Sequence, residues 1–197
     1  MDFNLSRLAS AGPVSALAVA DDYLRAQAFH PALPNQYRFE LLDARHSADI
    51  VRWRNDEENR HAFFQAGPLT LEDQANFLEN YATRQRVDLV LARKDDGKPL
   101  GVFSLKNLKT APELGKLMGE KSYRGKGLAS SATLALLTFG FDWLHLSTIW
   151  AHTQKTNAAN IQLNTKLGFQ IESELECAGA AFWRMSLSRD RLMTTAL

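Results

Sequence analysis

Leu117-Met118-Gly119-Glu120-Lys121-Ser122-Tyr123-Arg124-Gly125-Lys126-Gly127-Leu128-Ala129 (LMGEKSYRGKGLA) is the stretch on which the reading of this chain turns. An apolar strand ends, a basic loop with two glycines follows, and a long apolar helix begins near Gly127. The first N–H groups of a helix have no carbonyl partner, and the helix dipole adds positive potential there, so such a junction attracts anions. Gly125 and Gly127 let the backbone approach a phosphate with no Cβ in the way. Arg124 and Lys126 add charge at the rim. The local chemistry is that of a phosphate or pyrophosphate site.

Two common nucleotide loops do not fit. A Walker loop needs four residues before its Gly-Lys pair and a hydroxyl after it. Here Gly119 and Gly125 enclose five residues, and Gly127 stands where the hydroxyl belongs. A dinucleotide fingerprint would need glycine where Ser130 is found.

Around this loop, elements alternate. Upstream, Tyr37 to Leu42, Asp88 to Arg93, Leu100 to Leu105 and Glu113 to Gly119 read as strands, with Asp95-Asp96-Gly97-Lys98 as a hairpin turn. Ala48 to Asn59 reads as one helix, and Thr70-Leu71-Glu72-Asp73 caps another that carries Phe77, Leu78 and Tyr81. Downstream come a helix from Gly127 to Leu144, a strand Ser147 to Thr153, a helix Ala158 to Leu167, and strands Phe169 to Glu174 and Ala181 to Leu187. The strand–helix–strand order demands a parallel crossover, so the sheet is mixed and helices cover it.

Asn157-Ala-Ala-Asn160-Ile-Gln-Leu-Asn164-Thr-Lys166-Leu167-Gly168-Phe169 supplies the second motif. Arg124-x-x-Gly127-x-Ala129 resembles the R/Q-x-x-G-x-G/A loop of the Gcn5-related N-acetyltransferases (GNAT), and the second stretch resembles that family's N-x-x-A-x-x-x-Y-x-K-x-G-F. The resemblance implies an α/β (α+β) fold: a mixed, mostly antiparallel sheet, helices on both faces, and parallel fourth and fifth strands that splay apart for the pantetheine arm of acetyl-CoA. It implies that backbone groups of Leu117 and Gly119 pair with that arm, with Met118 between them. Arg124, Gly125, Lys126, Gly127, Leu128, Ala129 and Ser130 would surround the pyrophosphate, and Asn157 would lie beside the cofactor. Val51-Arg52-Trp53-Arg54-Asn55-Asp56 followed by Pro68-Leu69-Thr70 resembles acetyltransferases acting on nucleotide-linked amino sugars. Ribosomal-protein alanine acetyltransferases share a looser version.

Glu113 matches the family position that serves as base, directly or through water, and His152 is the alternative. Asn164 stands where the family places a tyrosine acid. An amide cannot release a proton near neutral pH, but it can donate a hydrogen bond to sulfur. Trp53, Arg54, Asn55, His61 and Asp73 are candidates to face the acceptor, while Trp143, Trp150 and Trp183 read as packing. Glu120 reads as a solvated loop charge.

Composition narrows the rest. The 197 residues are 45% hydrophobic and 23% charged, with 23 Lys and Arg against 22 Asp and Glu. That balance argues against a general nucleic-acid binder. The single Cys177 permits no internal disulfide and no cysteine zinc site, and no metal is expected. With no apolar run long enough for a bilayer and no secretory pattern in Ala9 to Ala20, a cytoplasmic protein is expected. Pro13 to Phe29 reads as a helix, and residues 1–36 as an extension and linker packed on the domain or a partner subunit. Residues 37–190 form the acetyltransferase domain, and 191–197 a tail. The expected activity is acetyl transfer from acetyl-CoA to a small-molecule amine in a ternary complex. A protein N-terminal acetyltransferase and a non-catalytic acyl-CoA-binding module remain alternatives, and a homodimer is left open.

Overall fold

The computed structural model describes residues 15–27, 31–60, 67–177 and 179–192. Seven strands, β1 (Tyr37–Leu41), β2 (Val87–Arg93), β3 (Pro99–Lys106), β4 (Glu113–Met118), β5 (Thr148–Gln154), β6 (Gln170–Cys177) and β7 (Ala180–Ser188), form one sheet in the order β1-β2-β3-β4-β5-β7-β6. Every pairing is antiparallel except that of β4 with β5.

One face is covered by α1 (Ala16–Ala26), α5 (Leu128–Asp142) and α6 (Ala158–Lys166), and the other by α2 (Ser47–Asn55) and α4 (Leu71–Glu79). Because side chains alternate along a strand, β4 feeds both layers. Leu114 and Met118 join the α1/α5 core, whereas Leu117 packs with Ile50 and Trp53 of α2. Ten residues of α5 are buried, spread around the helix, so it lies deep between the sheet and α1. β2 is buried along nearly its whole length, as a strand covered on both faces must be.

Two expectations are corrected. The helix read from Ala48 to Asn59 breaks at Asp56, whose backbone turns extended and whose carboxylate accepts from the Glu58 N–H at 3.1 Å, restarting a short α3 (Glu57–Arg60). Aspartate competes for such N–H groups and so favours helix starts over interiors. Tyr81 falls in a 3₁₀ turn after α4 rather than in it. At the chain start, Ser15 caps α1 by accepting from the Ala18 N–H; Pro13, Ala28 and Phe29 lie outside the described residues. The cap expected at Thr70 is present, with Thr70 and Asp73 reciprocally bonded.

Of the segment read as an extension packed on the domain, the described residues contribute side chains to the core. Ala20, Tyr23 and Leu33 belong to the same buried cluster as Phe139 and Leu136. The Tyr23 ring sits 4.7 Å from that of Phe139 and meets Trp143 edge-on, and its hydroxyl donates to the Ala135 carbonyl at 3.4 Å.

Candidate active site

β4 and β5 pair at one position, Glu113 with Trp150, where the Trp150 N–H donates to the Pro112 carbonyl at 2.7 Å. Beyond it they part. At the far end of β4, the N–H groups of Gly119 and Glu120 both donate to the Leu100 carbonyl at 2.9 Å, a bulge that bends the strand away. The parting opens a cleft of about 1140 Å³ that runs from one face of the sheet to the other.

The start of α5 closes one end of this cleft. Gly125 and Gly127 hold φ of +71° and +78°, a region costly for residues with a Cβ, and an added Cβ would meet nothing within 4 Å at either. No side chain caps the helix at Gly127, so its first N–H groups face the opening. These features suit the diphosphate of coenzyme A. Leu117, Met118, Arg124, Gly125, Gly127, Ala129, Ser130, Asn157 and Asn164 all line the cleft. Lys126 and Leu128 line a neighbouring hollow that shares Gly127 and Ser130.

The backbone reading of β4 is displaced by one residue. Since the Gly119 N–H is spent on Leu100, strand alternation turns Leu117 toward β3 as well, and Lys116 and Met118 present their backbone groups to the parting. Gly119 has another role, a close approach in which Trp53 lies flat on its backbone.

Arg124 is also differently employed. Its Nε donates to the Met118 carbonyl at 3.1 Å, and its terminal nitrogens reach Glu58 at 3.0 Å and Asn59 at 2.9 Å. Lys121 adds bonds to Asp56 and Glu58. The guanidinium therefore ties the loop before α5 to α3. Glu120 is no solvated charge: it accepts from Arg52 at 2.6 Å, Trp53 Nε1 at 3.1 Å and Lys98 at 3.1 Å. Burial pushes its carboxyl up, but those donors outweigh it and hold it down at about 2.

Two faces of the cleft carry different chemistry. On the α2/α4 face, Glu113 accepts from Lys106 at 3.0 Å and lies 3.5 Å from His152 Nδ1, so the two base candidates form a pair across the strands. Nearby Asp88 accepts from Tyr81 at 2.8 Å, from Arg86 at 2.6 and 2.5 Å, and from Ser104. Arg54 lines this face too; burial, then the neighbouring Arg86, lowers its affinity for a proton. Asp73 lines it while holding the α4 cap.

The remaining acceptor candidates fare differently. Trp53 is fully buried beneath α2, with no place on the cleft wall. Asn55 clasps Leu69, donating to its carbonyl and accepting from its N–H at 2.7 Å each. It therefore holds the chain before α4 rather than an acceptor. His61 lies outside the described residues.

On the α5/α6 face, Asn164 is completely buried and its amide hydrogens are committed, to Thr153 Oγ1 at 3.1 Å and toward Met185 Sδ at 3.8 Å. It is thus not placed to donate to a cofactor sulfur. Its Oδ1 accepts from Lys116 Nζ. Lys116 went unnoticed in the sequence, although the signal was there: it alternates with Leu114 and Met118 on the core-facing side of β4, where a lysine is out of place.

The Acetyltransferase (GNAT) domain model matches residues 38–170. The chain belongs to the GNAT family. Spermidine N(1)-acetyltransferase of Escherichia coli K12 is 40% identical over 53 residues, 27% of this chain and 28% of that protein. The chain therefore matches little more than a quarter of this curated relative. Among solved structures, spermidine N-acetyltransferase from Vibrio cholerae in complex with CoA and spermine superposes with a TM-score of 0.73 at 17% identity, over 80% of this chain and 98% of that one. A putative acetyltransferase from Acinetobacter baylyi ADP1 gives 0.69 at 22% identity, over 79% and 94%. These likenesses establish a GNAT fold, whose family donor is acetyl-CoA. Among the described residues no cluster of His, Cys, Asp or Glu is placed to hold a metal ion, and no helix is long and apolar enough to cross a membrane.

Proposed function

We propose that this GNAT chain acetylates a primary amine of a small molecule, using acetyl-CoA and direct attack within a ternary complex. The observation that carries the reading is the Glu113–His152 pair at the point where β4 and β5 part, with the anion-attracting start of α5 at the other end of one cleft. The α5 N–H groups bind the donor's diphosphate, Lys116 and Met118 hold its arm through their backbones, and Glu113 receives the amine proton with His152 beside it. An amine of pKa near ~8 is about one-tenth neutral at pH 7, whereas a lysine-like amine is neutral about once in 2,500. A positioned base matters most for the second.

Charge on the acceptor face favours an amine that also bears an anionic group, the class to which nucleotide-linked amino sugars belong. Three of the acids there are paired with cations, Asp88 with Arg86, Glu113 with Lys106, and Glu58 with Arg124 and Lys121, while Asp73 is taken up by the Thr70 cap. Arg54 stands beside the Arg86 guanidinium, whose repulsion of it an acceptor phosphate or carboxylate would relieve. A polycation such as spermidine, the substrate in the relative's name, would add to that repulsion. Thiol release with acetyl-CoA, measured across spermidine, amino-sugar nucleotides and a short free-N-terminus peptide, tests both levels. The highest kcat/KM is expected on the phosphate-bearing amine. Spermidine or the peptide at the top would overturn the acceptor class, and coenzyme binding with no thiol release on any amine would overturn the activity.

A further inference from the structure

The α5/α6 face of the cleft holds an ionisable side chain for which the reading above has no use. Lys116 projects from the middle of β4, opposite Phe103 of β3, and its Nζ bonds Asn164 Oδ1 at the cleft wall. Asn164 is itself pinned by Thr153 of β5 and Met185 of β7, so the ammonium rests on a fixed acceptor. That contact uses one of its three N–H donors, and Lys116 itself lines the cleft. Glu113 and His152, by contrast, meet on the opposite face of the sheet. The parted strands thus separate a Glu–His pair on one face from a lysine ammonium on the other.

We propose that the Lys116 ammonium, held against Asn164, is the proton donor to the thiolate that leaves when the acyl group is transferred. This rests on the acetyltransferase reading and adds a catalytic group to it. The amine lone pair forms the N–C bond, and the C–S bond breaks with its electron pair on sulfur. Sulfur takes a proton from Lys116 Nζ while the amine's surplus proton passes to the Glu113 side. Lys116 is then reprotonated from solvent, leaving amide and thiol.

The setting makes the transfer downhill. Burial alone pushes Lys116 down to about 7. A thiol near pKa ~8.5 accepts a proton readily from such a group, whereas a surface lysine near ~10.4 would donate uphill. The side chains around it are uncharged: Leu114 and Met118 on its own strand, Phe103 on β3, Thr153 on β5 and Asn164 on α6. Of the charged groups on the cleft wall, Glu113, His152, Lys106, Arg54, Arg86, Asp88 and Asp73 belong to the other face. Glu58 and Arg124 are paired at the α3 end, and Lys166 is at the exposed rim.

Lys116→Met and Lys116→Arg test this, in steady-state thiol release from pH 6 to 10 alongside direct titration of coenzyme A affinity. Lys116→Met should lower kcat roughly 100-fold, the lower end for acid catalysis because a thiolate leaves tolerably unaided. Coenzyme affinity should stay within about threefold, and the alkaline fall of kcat should vanish. Arginine keeps the charge but holds its proton too tightly to donate, so Lys116→Arg should stay slow. Restoration by arginine, an unchanged pH profile in either variant, or a loss confined to coenzyme affinity would overturn the proposal. Absence of thiol release from the unaltered chain on every amine would instead sink the acetyltransferase reading on which it stands.

Discussion

Replacing Gly119 with alanine is a severe local perturbation with a calculable cost. A Cβ there would lie 2.0, 2.2 and 2.3 Å from Trp53 Cδ2, Cε2 and Cγ. Carbon atoms rest at about 3.5–4.0 Å, so ring or strand must retreat by roughly 1.5 Å. The ring is fully buried, so room must come from α2 or β4, at about 1–3 kcal/mol for overpacking. The same shift pulls Trp53 Nε1 from Glu120, a bond to a charged acceptor worth about 1.5–3 kcal/mol. Together Gly119→Ala should cost about 2.5–6 kcal/mol, lowering Tm by roughly 5–24 °C for a chain of this size. Urea unfolding followed by tryptophan fluorescence and circular dichroism measures it. Trp53→Leu should make the alanine tolerable, so the double variant should lose at least about 1 kcal/mol less than the two single losses added. A Gly119→Ala loss under about 1 kcal/mol, or strict additivity with Trp53→Leu, would refute the reasoning.

Glu113→Gln should lower turnover at neutral pH, with the deficit shrinking as pH rises and the amine deprotonates unaided; pH-resolved thiol release checks this. Arg124→Ala should raise the KM of the acceptor as well as that of acetyl-CoA, because the guanidinium holds Glu58 and Asn59 as well as the Met118 carbonyl. An effect on acetyl-CoA alone, with each substrate varied in turn, would return Arg124 to a purely phosphate-binding role. Glu120, held at about 2 against an ordinary value of 4.5, supplies stability that is fully present above about pH 4.5 and is lost as pH falls toward 2. That contribution is about 3 kcal/mol, so Glu120→Gln should flatten the fall of Tm between pH 5 and 2.5.

The elements that shape the proposed donor end of the cleft could be read from the sequence because their geometry is local. Gly125, Gly127 and the apolar helix after them sit within a few residues of one another, and the Asn157 cap with its own accepted N–H at Asn160 is equally short-range. The β2–β3 hairpin and the need for a parallel crossover could be read from the sequence, whereas the insertion of β7 between β5 and β6 could not. What stayed hidden depends on contacts between distant segments. Arg124 meets Glu58 and Asn59 from the opening helices, Glu120 is clasped by Arg52 and Trp53, and Asn55 secures Leu69. No spacing rule pairs such residues, since only the folded sheet brings α2 and α3 against the end of β4. Lys116 is an intermediate case, because its strand parity was readable but its partner Asn164 on α6 was not.

The burial of Tyr23 beneath Phe139 and Trp143 bears on how this molecule can be cut or grafted. The span shared with the family stops short of α1 on one side and of nearly all of β6 and the whole of β7 on the other, yet β7 is the strand between β5 and β6, and α1 roofs α5. A chimera swapped at those borders would inherit a donor loop but expose two greasy seams, so crossover points belong before Ser15 and after the 3₁₀ turn Arg189–Arg191.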